Sequence, residues 1–388
     1  MAPIRVALIG LSCSGKSVVS WASIAHLPYL LSARGQSKFK LVALLNSSVD
    51  AAQKSIAHFK LPSDTKAYGS PDDLAADPDV DLVVCCTRVD THADLVRPSV
   101  AAGKSVYVEW PLARTPKEAE ELVELARKSG SKTVVGLQGR VSPLTGKVKE
   151  LLEEGKIGKV LSSQVQAYVG VTSMGMPAGF GYFFDRKVGG NLFTIEFGHA
   201  IDMVEYLLGE PTGTTAHFQL QHPTMNLFNP VDPMSPVPAV KSDVPDLIVV
   251  TGTLPSSSYV ADNATLQLRL DHGQPFPGDP LHTWTIVGEK GQIRCVSTGA
   301  QTLQMLVGEK PPTIQLYEYP AMPGPPGTKV EAEDVEWKWE AWQEEVPVTA
   351  RNIGSLYEAF AEGAGYPTFE DAVKRQGQLD DMWKDWKA

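Results

Sequence analysis

The chain has 388 residues, 43% hydrophobic and 21% charged, which is ordinary for a globular protein with room for two domains. The net charge of −10, without a run of basic residues, argues against direct binding to nucleic acid. No apolar stretch approaches membrane-spanning length, and residues 1–3 lead into a strand without a signal-peptide pattern, so no membrane association is expected.

The first predicted element is a buried strand over residues 4–9, followed by a loop that fits two phosphate-binding motifs. Residues 10–17 read GLSCSGKS, the G-x-x-x-x-G-K-S loop of nucleotide triphosphatases. The same loop is a degenerate G-x-G-x-x-G dinucleotide fingerprint, which keeps Gly10 and Gly15 and has Ser12 for the middle glycine. In both interpretations backbone N–H groups at a helix N-terminus bind a phosphate.

The strands that follow decide between these motifs. A triphosphatase needs a second strand that ends in a magnesium-binding Asp. The best buried strand, residues 81–87, carries its Asp at the opposite end. Its adjacent Cys85 and Cys86 are small apolar core residues, as expected in a reducing compartment. The dinucleotide interpretation is therefore favoured.

Strand and helix patterns alternate through the first third of the chain, which predicts a doubly wound Rossmann domain over residues 1–137. Strands are predicted at residues 40–45, 81–87, 105–109 and 133–137, and helices from the loop to about Leu31, at 49–59, from 71, at 92–102 and at 116–128.

The character of the chain changes past residue 150. Alternating runs at residues 162–169, 247–252, 264–270 and 284–287 predict an open, mainly antiparallel sheet in an α+β domain over residues 138–388. Loops are predicted at 223–245 and 320–327, and closing helices over 355–386 with a break at 363–367. A sheet covered on one side leaves an apolar face, which predicts a homo-oligomer, a dimer or larger.

Several motifs occur in an order that resembles the glucose–fructose oxidoreductase and inositol dehydrogenase family. Residues 87–92 (TRVDTH) stand where the family has T-P-x-x-x-H, and residues 108–112 (VEWPL) where it has E-K-P-L. The sequence GGN at 189–191, then GHAID at 198–202, matches its G-G-x…H-x-x-D helix, and PTFEDA at 367–372 its closing helix. The resemblance implies a Rossmann domain paired with an open-sheet domain.

Within that family the chain is most similar to the fungal galactose-pathway repressor branch. The shared features are Glu-Trp at residues 109–110, LQGR at 137–140 with SP at 142–143, and FGHAID at 197–202. That branch keeps the dehydrogenase fold and binds dinucleotide, but it works by protein contact. The present chain departs from it around Gly10, where extra residues precede Trp21, and in its shorter loops.

The resemblance implies that Glu109 and Pro111 shape the turn under the nicotinamide. Trp110 replaces the family lysine, which donates a hydrogen bond or proton to the reacting substrate oxygen. An indole N–H donates hydrogen bonds but is no acid near neutral pH, so proton transfer from this position is lost. Trp110 would instead offer a stacking wall to a flat or sugar-like ligand.

His199 and Asp202 are three residues apart and so share a helix face. The resemblance implies that His199 is the acid–base residue, with Asp202 holding its ring; the alternative is a helix histidine satisfied by a neighbouring carboxylate. The acid that the family has one turn earlier is Ile195 here. Glu196 is displaced by one position, which rotates an α-helical side chain by about 100°, so Glu196 is expected to be a poor substitute.

Three further residues are candidates for substrate binding. Gln138 and Arg140 follow a strand at the domain junction, as ligand contacts or as an interdomain hydrogen-bonding pair. Lys187 precedes Gly189 and would supply the missing cation, unless it is merely solvated.

The cofactor is predicted to be NADP or NAD. Residues 46–48 (NSS) follow strand two and contain no acid for the ribose hydroxyls of NAD, which favours NADP, with Lys54 as the nearest cation. No His, Cys and Asp cluster has metal-ligand spacing, so no metal is expected. The predicted cofactor contacts are Gly10, Ser12, Cys13, Gly15, Asn46, Ser47, Ser48, Thr87, Arg88, His92, Glu109, Trp110 and Pro111.

Two classes of function remain open. The first is an NAD(P)-dependent oxidoreductase that acts on a sugar, polyol or small cyclic carbonyl substrate, with His199, Asp202 and Glu109 as its catalytic residues. The second is a catalytically inactive, dinucleotide-binding transcriptional co-regulator with a regulatory protein partner, for which the aromatic, acidic residues 336–342 are a candidate surface. The first is favoured. The expected location is cytoplasmic, or nuclear for the regulator.

Overall fold

The computed structural model describes residues 2–13, 20–169, 175–232, 234–299, 302–304, 311–320 and 331–388. Residues 14–19 of the phosphate loop, which include Gly15, and residues 321–327 of a predicted loop lie outside the described residues. Among the helices that are described, none is long and apolar enough to cross a membrane.

The first domain is built on a six-stranded parallel sheet with the order β3-β2-β1-β4-β5-β6. The strand order reverses between β1 and β4, and in open α/β sheets the ligand crevice lies at this point, beyond the carboxyl ends of the strands. This confirms the predicted Rossmann fold. The strands are β1 (Ile4–Ile9), β2 (Phe39–Leu45), β3 (Lys66–Tyr68), β4 (Leu82–Cys85), β5 (Ser105–Val108) and β6 (Thr133–Val135).

Helices cover both faces of this sheet, so a strand such as β4 is buried along its whole length. The helix predicted after the phosphate loop is a π-helical turn, Ala22–His26, that continues into α1 and ends at Leu31. A further helix, α2, was not predicted; Ser32 caps it by accepting the N–H of Gly35. The helices are α1 (Leu27–Leu31), α2 (Ala33–Lys38), α3 (Val49–His58), α4 (Pro71–Ala76), α5 (His92–Ala101) and α6 (Pro116–Ser129).

The second domain contains an eight-stranded sheet with the order β18-β17-β16-β15-β7-β14-β13-β9. The β7–β14 pair is parallel and the other neighbouring pairs are antiparallel, as predicted. Its strands are β7 (Val160–Tyr168), β9 (Thr212–Gln219), β13 (Leu247–Thr253), β14 (Val260–Asp271), β15 (His282–Gly288), β16 (Gly291–Ser297), β17 (Thr313–Glu318) and β18 (Glu333–Val335).

Short strands and helices surround this sheet. Four two-residue strands form separate pairs: β8 (Met176–Pro177) with β11 (Leu227–Phe228), and β10 (Thr224–Met225) with β12 (Val240–Lys241). Three of them lie within the predicted loop at 223–245. The helices are α7 (Pro143–Glu153), α8 (Gly198–Leu208), α9 (Ala341–Glu344), α10 (Val348–Glu362) and α11 (Phe369–Trp383).

The outward face of the large sheet carries a polar row that crosses five strands in register. Its members are Gln267, Gln164, Thr285, Arg294 and Gln315. Arg294 Nη2 donates to Gln315 Oε1 at 2.7 Å. The oligomer prediction assumed an apolar face, and this row corrects that assumption, because alternate residues of each strand place the apolar side chains on the inner side. Oligomerisation itself stays a prediction.

The C-terminal helices return to the first domain. Tyr357 and Ile353 of α10 belong to the same buried cluster as Val6 and Leu8 of β1. Helix α10 therefore covers part of the parallel sheet, although it lies far along the chain. The domain boundary at residues 137/138 stays a prediction.

Candidate dinucleotide and substrate site

The carboxyl ends of β1 and β4 approach each other closely at Gly10. Gly10 has φ of +94°, and a Cβ added to it would lie 2.8 Å from Cγ2 of Thr87. Both facts require glycine at this position. Ser20 Oγ donates to the Gly10 carbonyl at 3.3 Å and holds the described end of the loop. This close backbone approach at the switch point fits a dinucleotide pyrophosphate.

Two of the three residues after β2 that are predicted to contact the ribose already make hydrogen bonds within the protein. Asn46 Nδ2 donates to the Leu11 carbonyl at 2.8 Å and so ties the two loops together. Ser48 caps α3 by accepting the N–H of Ala51, whereas Ser47 is exposed. Lys54 is exposed and pairs with Asp50 at 2.8 Å.

Near the phosphate loop, Cys13 Sγ accepts from Ser55 Oγ at 3.7 Å, and Ser12 also has interaction partners. The predicted cofactor residue Cys13 is thus placed against α3, on the adenosine side of the crevice.

His92 joins the turn after β4 to the turn after β5. Its Nε2 lies 2.9 Å from the Thr87 carbonyl and its Nδ1 lies 3.0 Å from the Pro111 carbonyl, across a cis Trp110–Pro111 bond. Burial lowers the pKa of His92, so the ring is neutral near pH 7 and donates one N–H. The structure therefore places the His92 ring between two loops of the crevice, with a hydrogen bond to one of the two carbonyls.

Arg88 is committed to an ion pair within the turn after β4. Its Nε and Nη2 donate to the two carboxylate oxygens of Asp90 at 2.6 and 2.7 Å. This guanidinium holds the pKa of Asp90 below its usual value. The Arg88 Cζ also lies 5.6 Å from the ring centroid of Tyr182, in the second domain.

Glu109 directly follows β5 and belongs to a buried network that no sequence motif indicated. Its Oε1 is 2.9 Å from Nε2 of His26, and His26 Nδ1 is 2.9 Å from the hydroxyl of Tyr357. His26 thus bridges the Glu109 carboxylate and the Tyr357 hydroxyl, whose pKa burial raises well above its usual value. A Cβ added to Gly136 would lie 2.8 Å from Glu109 Oε2. The network joins three distant segments beneath the crevice.

Trp110 is buried, and its indole N–H already has an acceptor. Nε1 donates to the Thr194 carbonyl at 2.8 Å, and the ring is 4% exposed. It packs so closely on Gly198 that an added Cβ would lie 2.9 Å from Nε1. The ring centroid lies 6.4 Å from that of His199. The structure thus brings Trp110 and His199 together, and the substrate-binding role of Trp110 stays a prediction.

His199 is 8% exposed in the first turn of α8. Burial lowers its pKa to about 4, against the opposing effect of Glu109 and Asp202. The imidazole is therefore neutral near pH 7. Within the described part of the chain no hydrogen bond connects His199 to Asp202.

Asp202 instead accepts from two arginines. Arg140 Nε and Nη2 donate to its two oxygens at 2.9 and 2.7 Å, and Arg375 Nε lies 3.3 Å from Oδ1. Arg140 also reaches Asp371 at 2.8 Å, while Arg375 contacts Glu205. This arginine cluster, defined by Asp202, Arg140 and Arg375 with their acids, ties α8 to α11 at the domain junction.

The other two predicted substrate residues differ in exposure. Gln138 is 3% exposed, and its Oε1 has no hydrogen-bond partner among the described residues. Lys187 is exposed beside a cleft of about 370 Å³, which Arg186 and Trp383 also line. The guanidinium of Arg186 lies 4.1 Å from the Trp383 ring centroid.

Glu196 is a partly buried carboxyl three residues before His199. It lies in a π-helical turn, Leu192–Phe197, that runs directly into α8. A π turn has more residues than an α turn, so a shift by one position rotates the side chain by somewhat less than in an α-helix, and the expectation that Glu196 is a poor substitute stays a prediction. Burial raises the pKa of Glu196 to about 7, and its Oε2 has no partner within the described ranges.

Two family models match the chain. One, described as an oxidoreductase family with an NAD-binding Rossmann fold, covers residues 4–137, and the other, Gal80p C-terminal domain, covers residues 143–297. The chain is 31% identical over 291 residues to dehydrogenase aclE of Aspergillus oryzae, which covers 75% of this chain and 76% of that protein. It is 32% identical over 215 residues to the galactose/lactose metabolism regulatory protein GAL80 of Kluyveromyces lactis, covering 53% of this chain and 46% of that protein.

Solved structures show the same fold. A super-repressor mutant of Gal80p from Saccharomyces cerevisiae superposes with a TM-score of 0.81 at 22% identity and covers 99% of this chain and 95% of that one. Levoglucosan dehydrogenase in complex with NADH and L-sorbose gives 0.73 at 18% identity, with coverages of 99% and 96%. At these identities the structural likeness concerns the fold alone.

Proposed function

The chain belongs to the oxidoreductase family with an NAD-binding Rossmann fold, and from that premise we propose that it is an NAD(P)-dependent oxidoreductase of a sugar, a polyol or a small cyclic carbonyl compound. One observation carries the proposal. Gly10 and Thr87 meet at the switch point of the parallel sheet, and the buried His199 lies against Trp110, in the turn after β5. A similarity to dehydrogenase aclE over three quarters of the chain supports it.

The described residues suit different parts of a dinucleotide. The Gly10 loop would hold the pyrophosphate, and Ser47 would reach the adenosine ribose. His92 and Glu109 would keep the two nicotinamide-side turns in place through the contacts they already make. When bound, the nicotinamide supplies the hydride acceptor or donor. The lack of an acid at residues 46–48 supports NADP over NAD.

His199 is suited to accept a proton rather than to donate one. Because burial lowers its pKa to about 4, it is neutral near pH 7 and can take the proton of a substrate hydroxyl during oxidation. Glu196, with a pKa raised to about 7, is a second candidate that can work in either direction. Asp202 would act as a positioning residue, holding α8 through the arginine cluster.

The decisive experiment measures turnover in matched variants. Single-turnover oxidation and reduction would be followed at the nicotinamide absorbance with a panel of sugars, polyols and cyclic ketones. His199→Ala should lower the rate by about 10²–10⁴-fold, the usual size of a lost general acid or base. The exposed His217→Ala is the control and should keep full activity. Full activity in His199→Ala would remove this role, and Glu196→Gln would then test the second candidate.

Cofactor identity needs a separate titration. Binding of NAD(H), NADP(H) and ATP-Mg to the full chain would be followed by calorimetry. Dinucleotide binding with tighter NADP(H) is expected. Tight binding of ATP-Mg without dinucleotide affinity would defeat the oxidoreductase proposal, because the loop would then serve a triphosphate.

A dinucleotide-responsive regulator is the second candidate, and two observations favour it. The Gal80p C-terminal domain model matches residues 143–297, and the Trp110 N–H is already bonded to Thr194. The proposed partner surface at residues 336–342 is partly engaged, since Trp337 Nε1 donates to the Pro312 carbonyl at 2.9 Å. No turnover on any panel member, together with a nucleotide-dependent protein partner in a pull-down, would favour the regulator.

Two expectations accompany either function. We expect a homodimer, to be checked by light scattering at micromolar concentration, where a monomer would refute it. We also expect a cytoplasmic location for the enzyme and a nuclear one for the regulator, to be checked by imaging the tagged chain.

A further inference from the structure

Three potential metal ligands lie close together where three neighbouring strands of the large sheet begin or end. They are remote in sequence from the residues of the proposed catalytic site. His222 follows the end of β9, Asp246 directly precedes β13, and His272 directly follows β14. Because β9, β13 and β14 are antiparallel neighbours, the end of β9, the start of β13 and the end of β14 lie side by side. One ligand atom from each residue lies within 4.8 Å of the other two.

His272 is buried without a hydrogen-bond partner for its ring. It is 5% exposed, and the ring contact found for it is with Phe184, at a centroid distance of 6.1 Å; within the described residues no hydrogen bond to either ring nitrogen is found. Imidazole nitrogen is the commonest metal ligand in proteins, and the His272 ring has no such hydrogen bond to give up.

Asp246 is held rigidly and His222 is not. The two carboxylate oxygens of Asp246 accept the backbone N–H groups of Gln221 and His222 at 2.6 and 2.7 Å. The His222 side chain is 52% exposed and reaches Asp246 Oδ2 through Nδ1 at 2.7 Å. A buried carboxylate and a buried imidazole thus lie beside an exposed imidazole.

The space between them suits a single ion. His222, Asp246 and His272 line, together with mostly apolar side chains such as Phe184 and Met225, a cavity of about 10 Å³, the size of one water molecule. Zinc binds at about 2.0–2.1 Å from imidazole nitrogen and carboxylate oxygen, which places tetrahedral ligands about 3.3 Å apart. The three ligand atoms lie within 4.8 Å of one another, and the exposed His222 side chain can change its rotamer to adjust its own spacing.

We propose that His222, Asp246 and His272 bind one divalent transition-metal ion of the zinc class, with a fourth position open to water. Two imidazoles and one carboxylate select such ions over calcium and magnesium, which prefer oxygen ligands. The spacing of these residues in the sequence hid the site, because the sheet edge brings them together and no local motif does.

The site would hold together the two ends of the chain segment that connects β9 to β13. The same segment contains Asp243, whose Oδ1 accepts the backbone N–H of Arg186 at 2.7 Å, next to Lys187. A metal ion would therefore stabilise the wall of the cleft beside Lys187, and it need not take part in the reaction.

Cobalt is the most direct probe. The full chain, treated with chelator, would be titrated with Co²⁺ and followed by visible absorption, and Zn²⁺ binding would be measured by calorimetry. We expect one ion per chain, the intense visible bands of four-coordinate Co²⁺, and a rise in Tm with Zn²⁺. Absence of these bands together with no calorimetric Zn²⁺ binding would overturn the proposal.

Matched variants locate the ion. His222→Ala removes an exposed side chain and should fold normally, yet lower Zn²⁺ affinity by at least about tenfold, as should His272→Gln. His217→Ala, an exposed histidine on β9, should bind as the unaltered chain does. Unchanged affinity in folded His222→Ala would place the ion elsewhere and overturn the assignment.

Discussion

Two regions adjoin on α8, the arginine cluster around Asp202 and the buried surroundings of His199, three residues earlier. In the first, both carboxylate oxygens are bonded to guanidinium groups. In the second, His199 is buried and the nearby Glu196 is partly buried, and this desolvation shifts their pKa values so that the neutral form is favoured. A paired buried charge serves structure, whereas a shifted, unpaired group is available for chemistry. This contrast separates the roles of two residues that the sequence grouped together.

The largest effect is expected in the arginine cluster. Asp202→Ala would leave Arg140 and the 1% exposed Arg375 without their shared acid, and breaking a buried ion pair costs about 3–5 kcal/mol. The free energy of unfolding should fall by that amount in urea titrations. Asp262→Ala, at an exposed position, is the control and should change it by less than about 0.5 kcal/mol. A similarly small loss in Asp202→Ala would mean that the cluster is solvated.

The second-largest effect is a dependence of the free energy of unfolding on pH, which the titration of His199 causes. Its pKa is about 4 in the folded protein and 6.5 as a free side chain, so the unfolded chain binds more protons between these values. Stability should therefore be fully present above about pH 6.5 and fall as the pH drops toward 4, by about 3 kcal/mol at most.

The measurement compares urea unfolding from pH 4 to pH 7 in the unaltered chain and in His199→Gln. His272, whose pKa is also lowered to about 4, acts in the same direction in both proteins, so the difference isolates His199. If the free energy of unfolding changes with pH in the same way in both proteins, His199 is not buried in the neutral form. The contrast drawn above between His199 and Asp202 would then be wrong.

The third effect is at the crevice itself. Gly10→Ala places a methyl group 2.8 Å from Thr87 in a left-handed conformation, a strain of about 1–3 kcal/mol. Dinucleotide affinity should fall by at least about tenfold, because 1.4 kcal/mol is a factor of ten. Gly146→Ala, in α7 with open space around it, is the control and should keep full affinity. Unimpaired dinucleotide binding in Gly10→Ala would show that this close approach does not form the site.

Sequence patterns predicted what local periodicity and contiguous motifs encode. The alternation of strands and helices indicated the Rossmann sheet, and the motif at residues 87–92 pointed to the turn that meets Gly10. The Glu109 network escaped prediction because His26 and Tyr357 come from segments that only tertiary packing brings together. Glu196 was judged as part of an α-helix, whereas the structure places it in a π-helical turn.

The smallest effect concerns Trp110, which packs beside His199. Its indole N–H donates to the Thr194 carbonyl, just before Glu196 and His199 in the chain. Trp110→Phe keeps most of the ring contact with Gly198 but removes this bond, so the free energy of unfolding should fall by about 1 kcal/mol. Dinucleotide affinity should stay the same. If the ring also touches substrate, KM should rise as well, and kcat should change less because the proton role lies with His199.

Trp339→Phe is the matched control, because that indole stacks on Arg351 at 5.0 Å and lies outside the proposed site. It should leave KM and dinucleotide affinity unchanged. A large fall in kcat for Trp110→Phe, with stability unaffected, would mean that the indole N–H leaves Thr194 and reaches the substrate during turnover. The separation between a structural Trp110 and a chemical His199 would then have to be abandoned.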